Sequence, residues 1–328
     1  MKTIKKKGFL PTPNAVGRSV AVKTPTTFRI ANKTSGFEYV FYGTALKKIM
    51  QQTPSGGFHR SSSTHQKNIY PRLAFPAMLA ATALFLSTNL AGALGILVPA
   101  YFNPAPGSAG SNYWAALAKA ANKVPLIVIA DIGSPGGPGN SIDMNYSNAI
   151  FNVRNNGGKV FGYVDTSYAS ISESVVTNQV ATWHSFYNID GIFLDQMTDD
   201  TNWTHLSYYE TIYNDINALF PNLYLVSGNP GTQTQKPYIA LPTVDMVCTF
   251  ENYVGYTNYV TPSWVTNYPA KQFIQIPYGV TNASVMSNYV AIAQTRNVGW
   301  IYVNDRGWGS LPSYWTNEVN YVRKLNGH

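Results

Sequence analysis

The stretch Asn188-Ile189-Asp190-Gly191-Ile192-Phe193-Leu194-Asp195-Gln196 decides the fold. Ile192, Phe193 and Leu194 form an unbroken apolar run, the mark of a strand covered on both faces. Asp195 follows where the run stops. A carboxylate inside a core is costly, so it belongs at the open end of the strand, facing a cleft. The same order of apolar run, polar tip and helical segment recurs on both sides of this stretch.

Upstream, apolar runs rich in β-branched and aromatic residues occupy 95–102, 123–131 and 159–165; downstream they occupy 222–229, 244–251, 272–278 and 298–305. That composition favours strands. Helical segments fit between them at 111–123, 142–155, 170–186, 203–220, 283–296 and 313–325, with weaker ones at 232–240 and 258–269. The segment 203–220 is the clearest, with Leu206, Tyr209, Ile212, Tyr213, Ile216 and Leu219 at the 3.6-residue period. Eight strand–helix alternations over about 230 residues predict an α/β fold, a (β/α)8 TIM barrel forming a single catalytic domain over 95–328. The alternative, an open doubly wound sheet, lacks a dinucleotide fingerprint. Gly133-Ser134-Pro135-Gly136-Gly137-Pro138-Gly139 is Gly-rich but carries no phosphate-loop Lys, and it reads as a loop over the site.

The net charge of +8 is unevenly spread. Residues 1–72 hold 13 Lys/Arg and one acid, Glu38, whereas 73–328 hold 10 Lys/Arg and 14 acids, a net −4. The basic character therefore belongs to a leader rich in Lys, Ser, Thr, Gly and Pro, expected to be disordered or a targeting segment. No folded basic module follows Lys5-Lys6-Lys7, so no nucleic-acid partner is expected. Residues 73–94 combine a short apolar centre with Ala91-Gly92-Ala93, the pattern of a secretory signal, or of an uncleaved anchor given the long segment in front of it. A buried helix capping the domain is the plainer reading. The expected location is thus secreted or cell envelope, with membrane contact only through 73–94 if that segment is uncleaved, and the expected state is a monomer.

The single cysteine, Cys248, excludes an internal disulfide and reads as a small core residue in the sixth strand. The histidines at 59, 65, 184, 205 and 328 have no ligand spacing, so no metal and no cofactor are expected. Sequons at Asn145, Asn202 and Asn282 could carry glycans in a secreted eukaryotic chain.

In a barrel of this kind chemistry sits at the C-terminal strand ends. Those ends read Asn103, Asp131, Asp165, Asp195, Asn229, Glu251, Tyr278 and Asn304-Asp305. Four or five carboxylates would converge on one face, although Asp is also a helix-capping residue after a strand, a role open to Asp131 and Asp165. Aromatics gather at the same ends, among them Tyr101, Phe102, Tyr163, Tyr168, Tyr253, Tyr278, Trp300, Tyr302 and Trp308. Aromatic faces pack on the C–H face of a sugar while Asn, Gln and Asp take its hydroxyls. Two carboxylates suffice for glycosidic cleavage, one protonating the leaving oxygen and the other acting as nucleophile or activating water. Asp195 and Glu251 are the catalytic candidates. Tyr101, Asp131, Asp165, Tyr168, Gln196, Asn229, Tyr253, Tyr278, Trp300, Asn304 and Asp305 are the substrate-binding ones.

Residues 95–325 resemble the Spherulin-4 (spherulation-specific family 4) proteins. The resemblance rests on Val98-Pro99-Ala100-Tyr101-Phe102, Gly137-Pro138-Gly139, Gly162-Tyr163-Val164-Asp165-Thr166-Ser167-Tyr168, Gly191-Ile192-Phe193-Leu194-Asp195, Phe250-Glu251 and Gly299-Trp300-Ile301-Tyr302. It implies a secreted (β/α)8 glycoside hydrolase acting on α-1,4-linked galactosamine and N-acetylgalactosamine polymers, with the catalytic carboxylates on Asp195 and Glu251. Two positions depart from the family's pattern: Gln196 stands where an acid follows the strand-four Asp, the departure that matters for activity, and Asp131-Ile132 stands at the second strand tip where Asn-Pro is common. The sequence therefore supports two readings. The first is a hydrolase whose net-negative domain favours a partly deacetylated amino-sugar polysaccharide. The second is a non-catalytic polysaccharide-binding or coat protein on a degenerate hydrolase barrel. Which carboxylate is the acid is open at this level.

Overall fold

The computed structural model describes residues 29–32, 37–42, 45–49, 92–133, 136–221 and 225–328. The chain divides into two units, 1–82 and 83–328. Within the first, strands Arg29–Asn32, Phe37–Tyr42 and Ala45–Ile49 pair in order as an antiparallel sheet. The rest of the leader, and the expected signal segment up to residue 91, lie outside the described residues.

The second unit is a closed barrel of parallel strands. They are β1 (Gly95–Ala100), β2 (Leu126–Ala130), β3 (Lys159–Asp165) and β4 (Gly191–Asp195). The ring continues through β5 (Leu225–Gly228), β6 (Met246–Asn252), β7 (Phe273–Pro277) and β8 (Trp300–Ile301), and β8 pairs with β1. This is the (β/α)8 arrangement expected from the alternating pattern. The strands are nearly all buried, as strands with helices outside and a packed barrel inside must be. Leu94, only 2 % exposed, belongs to the barrel too. It exchanges two hydrogen bonds of 2.9 Å with the side-chain amide of Asn326 and so ties the barrel's first residues to its last helix.

The helices are α1 (Ala109–Ala121), α2 (Met144–Asn155), α3 (Glu173–Tyr187), α4 (Trp203–Leu219), α5 (Pro237–Ala240), α6 (Ala283–Thr295) and α7 (Trp315–Leu325). Ser108, Asp143, Asn202 and Asn282 start α1, α2, α4 and α6 by accepting backbone N–H groups. Two expected helices are corrected. Of 232–240 only the single turn of α5 is helical. Instead of a helix over 258–269 the chain makes 3-10 turns at Tyr256–Asn258, Ser263–Asn267 and Ala270–Gln272. Pro262 and Pro269 precede two of these turns, and Gly255, at φ +82°, opens the third. Proline has no N–H to continue a helical ladder. Among the described residues no helix is long and apolar enough to cross a membrane.

The deciding stretch is fixed at both ends. Asn188 ends α3 in the left-handed region, which Asn tolerates. Asp190 then takes Arg154 in a two-pronged ion pair at 2.9 and 3.0 Å and accepts Val160 N–H at 2.9 Å. With its entry anchored, β4 carries Ile192 to Leu194 through the core and delivers Asp195 to the far rim. Gly162 of β3 lets Trp183 lie flat against that strand, since a Cβ there would come within 2.5 Å of the indole.

Candidate active site

The neighbouring strands β3 and β4 end in register, with Asp165 opposite Asp195. Thr166 binds this pair of strand ends together, its Oγ1 donating to the carbonyl oxygens of Asp195 and Gln196 at 3.0 and 2.9 Å. β6 reaches the same rim through an irregularity. Its pairing with β7 skips Thr249, since Ile274 pairs with Cys248 and Gln275 with Phe250. An extra residue of this kind reverses the in–out alternation beyond it, and Glu251 then turns to meet the tip of β5.

The two catalytic candidates come together there on Asn229. The Nδ2 group of Asn229 donates to Asp195 Oδ1 at 2.9 Å and to Glu251 Oε2 at 2.6 Å. Those two lengths hold the accepting oxygens no more than about 5.5 Å apart. The two carboxylates differ in what surrounds them. Asp195 also accepts from the Tyr163 hydroxyl and from the Gln196 backbone N–H. Burial pushes its carboxyl up, and these three donors work against that push, favouring the ionised form. Glu251 has Asn229 as its donor. Burial, with a further contribution from the Asp195 charge, raises it to about 7, so that it holds its proton near neutral pH.

Asp131 is the third acid of the cluster. Its Oδ1 accepts Gly137 N–H at 2.7 Å, which pins the Gly-rich loop, and burial followed by the Asp195 charge raises it to about 6. The loop lies over the site as expected, with Gly136 packed on the Tyr163 ring. Tyr101 stands among all three acids. Burial first, then the nearby Asp195, Tyr163, Asp131 and Glu251, push its hydroxyl well up, so it stays a neutral donor. Its ring meets Tyr163 edge to face at 5.5 Å.

Asp165 accepts Ser167 N–H at 2.6 Å, the local turn-forming role allowed for it in the sequence. Beyond it Ser167, Tyr168 and Ala169 are all left-handed, at φ +45°, +57° and +64°. Three such residues in a row are costly for non-glycine side chains. The turn leaves Tyr168 56 % exposed on the β3 side of the rim, its N–H held by the Gln196 carbonyl at 2.7 Å. Gln196 itself sits at φ +48°. On the β6–β8 side, Tyr253, 66 % exposed, stands 6.1 Å from Tyr278, which stands 5.6 Å from Trp308. Aromatic surface therefore flanks the carboxylates on two sides.

Four expected binding residues have other roles. Trp300 lies at the opposite end of the barrel, where it pairs with Gly95 and donates Nε1 to the Lys271 carbonyl at 2.9 Å. Asn304 is fully buried and spends its amide on Gly307 O and Arg306 N–H, both at 2.7 Å. Asp305 accepts Ser313 N–H at 2.9 Å and the Ser313 hydroxyl, securing the approach to α7. Asn229 has both Nδ2 hydrogens on the carboxylates and its Oδ1 on Gly231 N–H at 3.1 Å, so it has no donor left for a sugar. Two contributors were not singled out in the sequence. Tyr163 stood only among the rim aromatics, and its period-two spacing from Asp165 was the available signal. Thr166 left none.

Residues 95–322 match the family model described as Spherulation-specific family 4. Among solved structures the chain is similar to Aspergillus clavatus Sph3 in complex with GalNAc, with a TM-score of 0.60 and 22% identity over 70% of this chain and 97% of that one. It is also similar to a GH18 chitinase from Pseudoalteromonas aurantia (TM-score 0.47, 14% identity, 70% of this chain and 99% of that chain). A third is a chitinase from Bacteroides thetaiotaomicron (TM-score 0.49, 8% identity, 71% and 97%). No curated protein matches the chain.

Proposed function

The chain belongs to spherulation-specific family 4, and from that membership and the site geometry we propose that it is a glycoside hydrolase acting on an α-1,4-linked galactosamine/N-acetylgalactosamine polysaccharide. The observation that carries this reading is the pairing of Asp195 with Glu251 on one Asn229 amide at the barrel's catalytic rim. Glu251 gives its proton to the glycosidic oxygen as the bond from that oxygen to the anomeric carbon breaks. Asp195 takes the anomeric carbon. Water then displaces Asp195, giving its proton to the Glu251 carboxylate, and the acid is restored. A shared amide keeps the two carboxyl groups close, which supports this two-step retaining course over an inverting one, where the pair must stand further apart to admit a water.

The substrate class draws on three supports: the rim aromatics, the cluster of Asp131, Asp195 and Glu251, and the GalNAc held by the similar Sph3. An acidic cluster favours the cationic, deacetylated units of such a polymer. An export signal or anchor over residues 73–94, inferred from the sequence pattern, would place this activity outside the cell or on its envelope. Gln196 is the observation behind the second reading, a polysaccharide-binding barrel without turnover. Its backbone carbonyl accepts from Tyr168 N–H and Thr166 Oγ1, and the Asn229 bridge between Asp195 and Glu251 does not use its side chain.

The test is incubation of the full chain with partly deacetylated α-1,4-galactosaminogalactan, with reducing ends counted and the first-formed anomer read by proton NMR. Release of α-anomer supports the hydrolase and its retaining course. Binding with no release selects the second reading.

A further inference from the structure

We propose that Asn229 is a positioning residue that fixes where the acid's proton resides: its amide reserves Asp195 Oδ1 and Glu251 Oε2 as acceptors, so the proton of Glu251 is confined to Oε1 and is not shared with Asp195. This deepens, and rests on, the reading of Asp195 and Glu251 as the working pair.

The argument begins with what an amide nitrogen can do. It carries two hydrogens and accepts nothing, so any oxygen it faces must offer a lone pair. Asn229 Nδ2 faces Asp195 Oδ1 at 2.9 Å and Glu251 Oε2 at 2.6 Å. The orientation of the amide is set by its other end, because Gly231 N–H, 3.1 Å from Oδ1, requires an acceptor. Turning the amide over would oppose N–H to NH2 and set a carbonyl oxygen against two carboxylates, an unfavourable contact in each of the three places. The residue cannot drift either. Its N–H donates to Leu194 O and its carbonyl accepts Met197 N–H, both at 2.9 Å, locking it to β4, and it is only 5 % exposed.

Two carboxyl groups this close in a buried site would otherwise settle by sharing one proton between them. The groups that act on the pair are Asp131, Asp165, Tyr101, Tyr163 and the buried Cys248. None of them is cationic, so no ion pair sorts the two carboxyls. The amide does so by geometry. Asp195 is left with donors only, from Asn229, Tyr163 and Gln196 N–H, and Glu251 with one oxygen free to hold hydrogen.

The experiment needs no turnover. The chain has five glutamates, so full-length protein with 13C-labelled glutamate carboxyls gives a small set of signals, with Glu251 assigned by its loss in Glu251→Gln. In the native protein Glu251 is expected to titrate in one step near 7. In Asn229→Ala it is expected to broaden into two steps, the upper at least about one pH unit higher, matched by a second step at 13C-labelled Asp195. A single step at the native midpoint in folded Asn229→Ala overturns the proposal. Should that variant not fold, the native protein still decides. Both Asn229 Nδ2 hydrogens are expected to be slow to exchange and to shift with the Glu251 titration. Either hydrogen exchanging freely, or indifferent to that titration, overturns it. A native chain that cleaves no polymer while showing these signals refutes the hydrolase and leaves the role of Asn229 standing.

Discussion

Asp165 stands directly across from Asp195 in the β3–β4 register, yet the two carboxylates serve different ends. Asp165 is spent on Ser167 N–H at 2.6 Å, while Asp195 takes the Asn229 amide and the Tyr163 hydroxyl. The Asp165 charge raises Asp195 from the side. Asp165→Asn keeps an acceptor for Ser167 and removes that charge. It is expected to cost less than about tenfold in kcat and to move the acid limb of the pH profile down. Asp195→Asn is expected to cost roughly 10³-fold or more. Steady-state kinetics of the two variants from pH 4 to 9 check the contrast.

Tyr163 supplies one of the donors that favour the ionised form of Asp195 against the upward push of burial. Tyr163→Phe keeps the ring against Tyr101 and removes the hydroxyl. The acid limb should then rise, because Asp195 loses a donor to its charged form, and kcat on the acid side of the optimum should fall with KM little changed. An unaltered acid limb would place the hydroxyl outside the proton balance.

Glu318 is a stability element away from the chemistry. It is fully buried beside the end of β8, its Oε1 accepting Val303 N–H at 2.8 Å, while its Oε2 and the neighbouring Tyr302 hydroxyl have no hydrogen-bond partner among the described residues. Burial, then the Asp305 charge, raises it from the usual 4.5 to about 8. The folded state therefore holds a proton that the unfolded chain releases near 4.5. Its contribution is full below that pH and is lost as pH rises through about 8. Glu318→Gln should leave stability little changed at pH 4 and raise it by about 1–3 kcal/mol at pH 9. Urea titrations at the two pH values read the difference.

Gly162→Ala tests the close approach of Trp183 to β3. The added Cβ would meet the indole at 2.5 Å, and Trp183 is itself held by its Nε1 donating to Tyr163 O at 2.8 Å. A loss of about 2 kcal/mol in unfolding free energy is expected, along with lower activity, because Tyr163 borders the site. A shift within about 0.5 kcal/mol would mean that the indole moves aside freely.

The barrel was legible because each strand announces itself as an apolar run bounded by polar residues, and α4 by its period. What the sequence did not reveal lies in single residues. Asn229 and Asn304 each follow an apolar run; one bridges two carboxylates and the other folds its own loop, and only the partners brought by distant segments separate them. Trp300 sits in a run that reads as one strand over 298–305, but only Trp300–Ile301 pair as a strand, which leaves the indole at the wrong end. The skipped Thr249 that turns Glu251 inward has no sequence signature. The burial of Glu318, in a helix of otherwise ordinary polarity, depends on what β8 places beneath it.

The central claim, that Asp195 and Glu251 work as an ionised carboxylate and an acid, is tested most directly by pH-dependent release of reducing ends from partly deacetylated α-1,4-galactosaminogalactan, with Asp195→Asn and Glu251→Gln alongside. The native chain should cleave with an alkaline limb near pH 7, set by Glu251, and each substitution should lower kcat by roughly 10³-fold or more while oligosaccharide binding persists. A native chain that binds without cleaving, or a Glu251→Gln variant that retains a tenth or more of native activity, would contradict it.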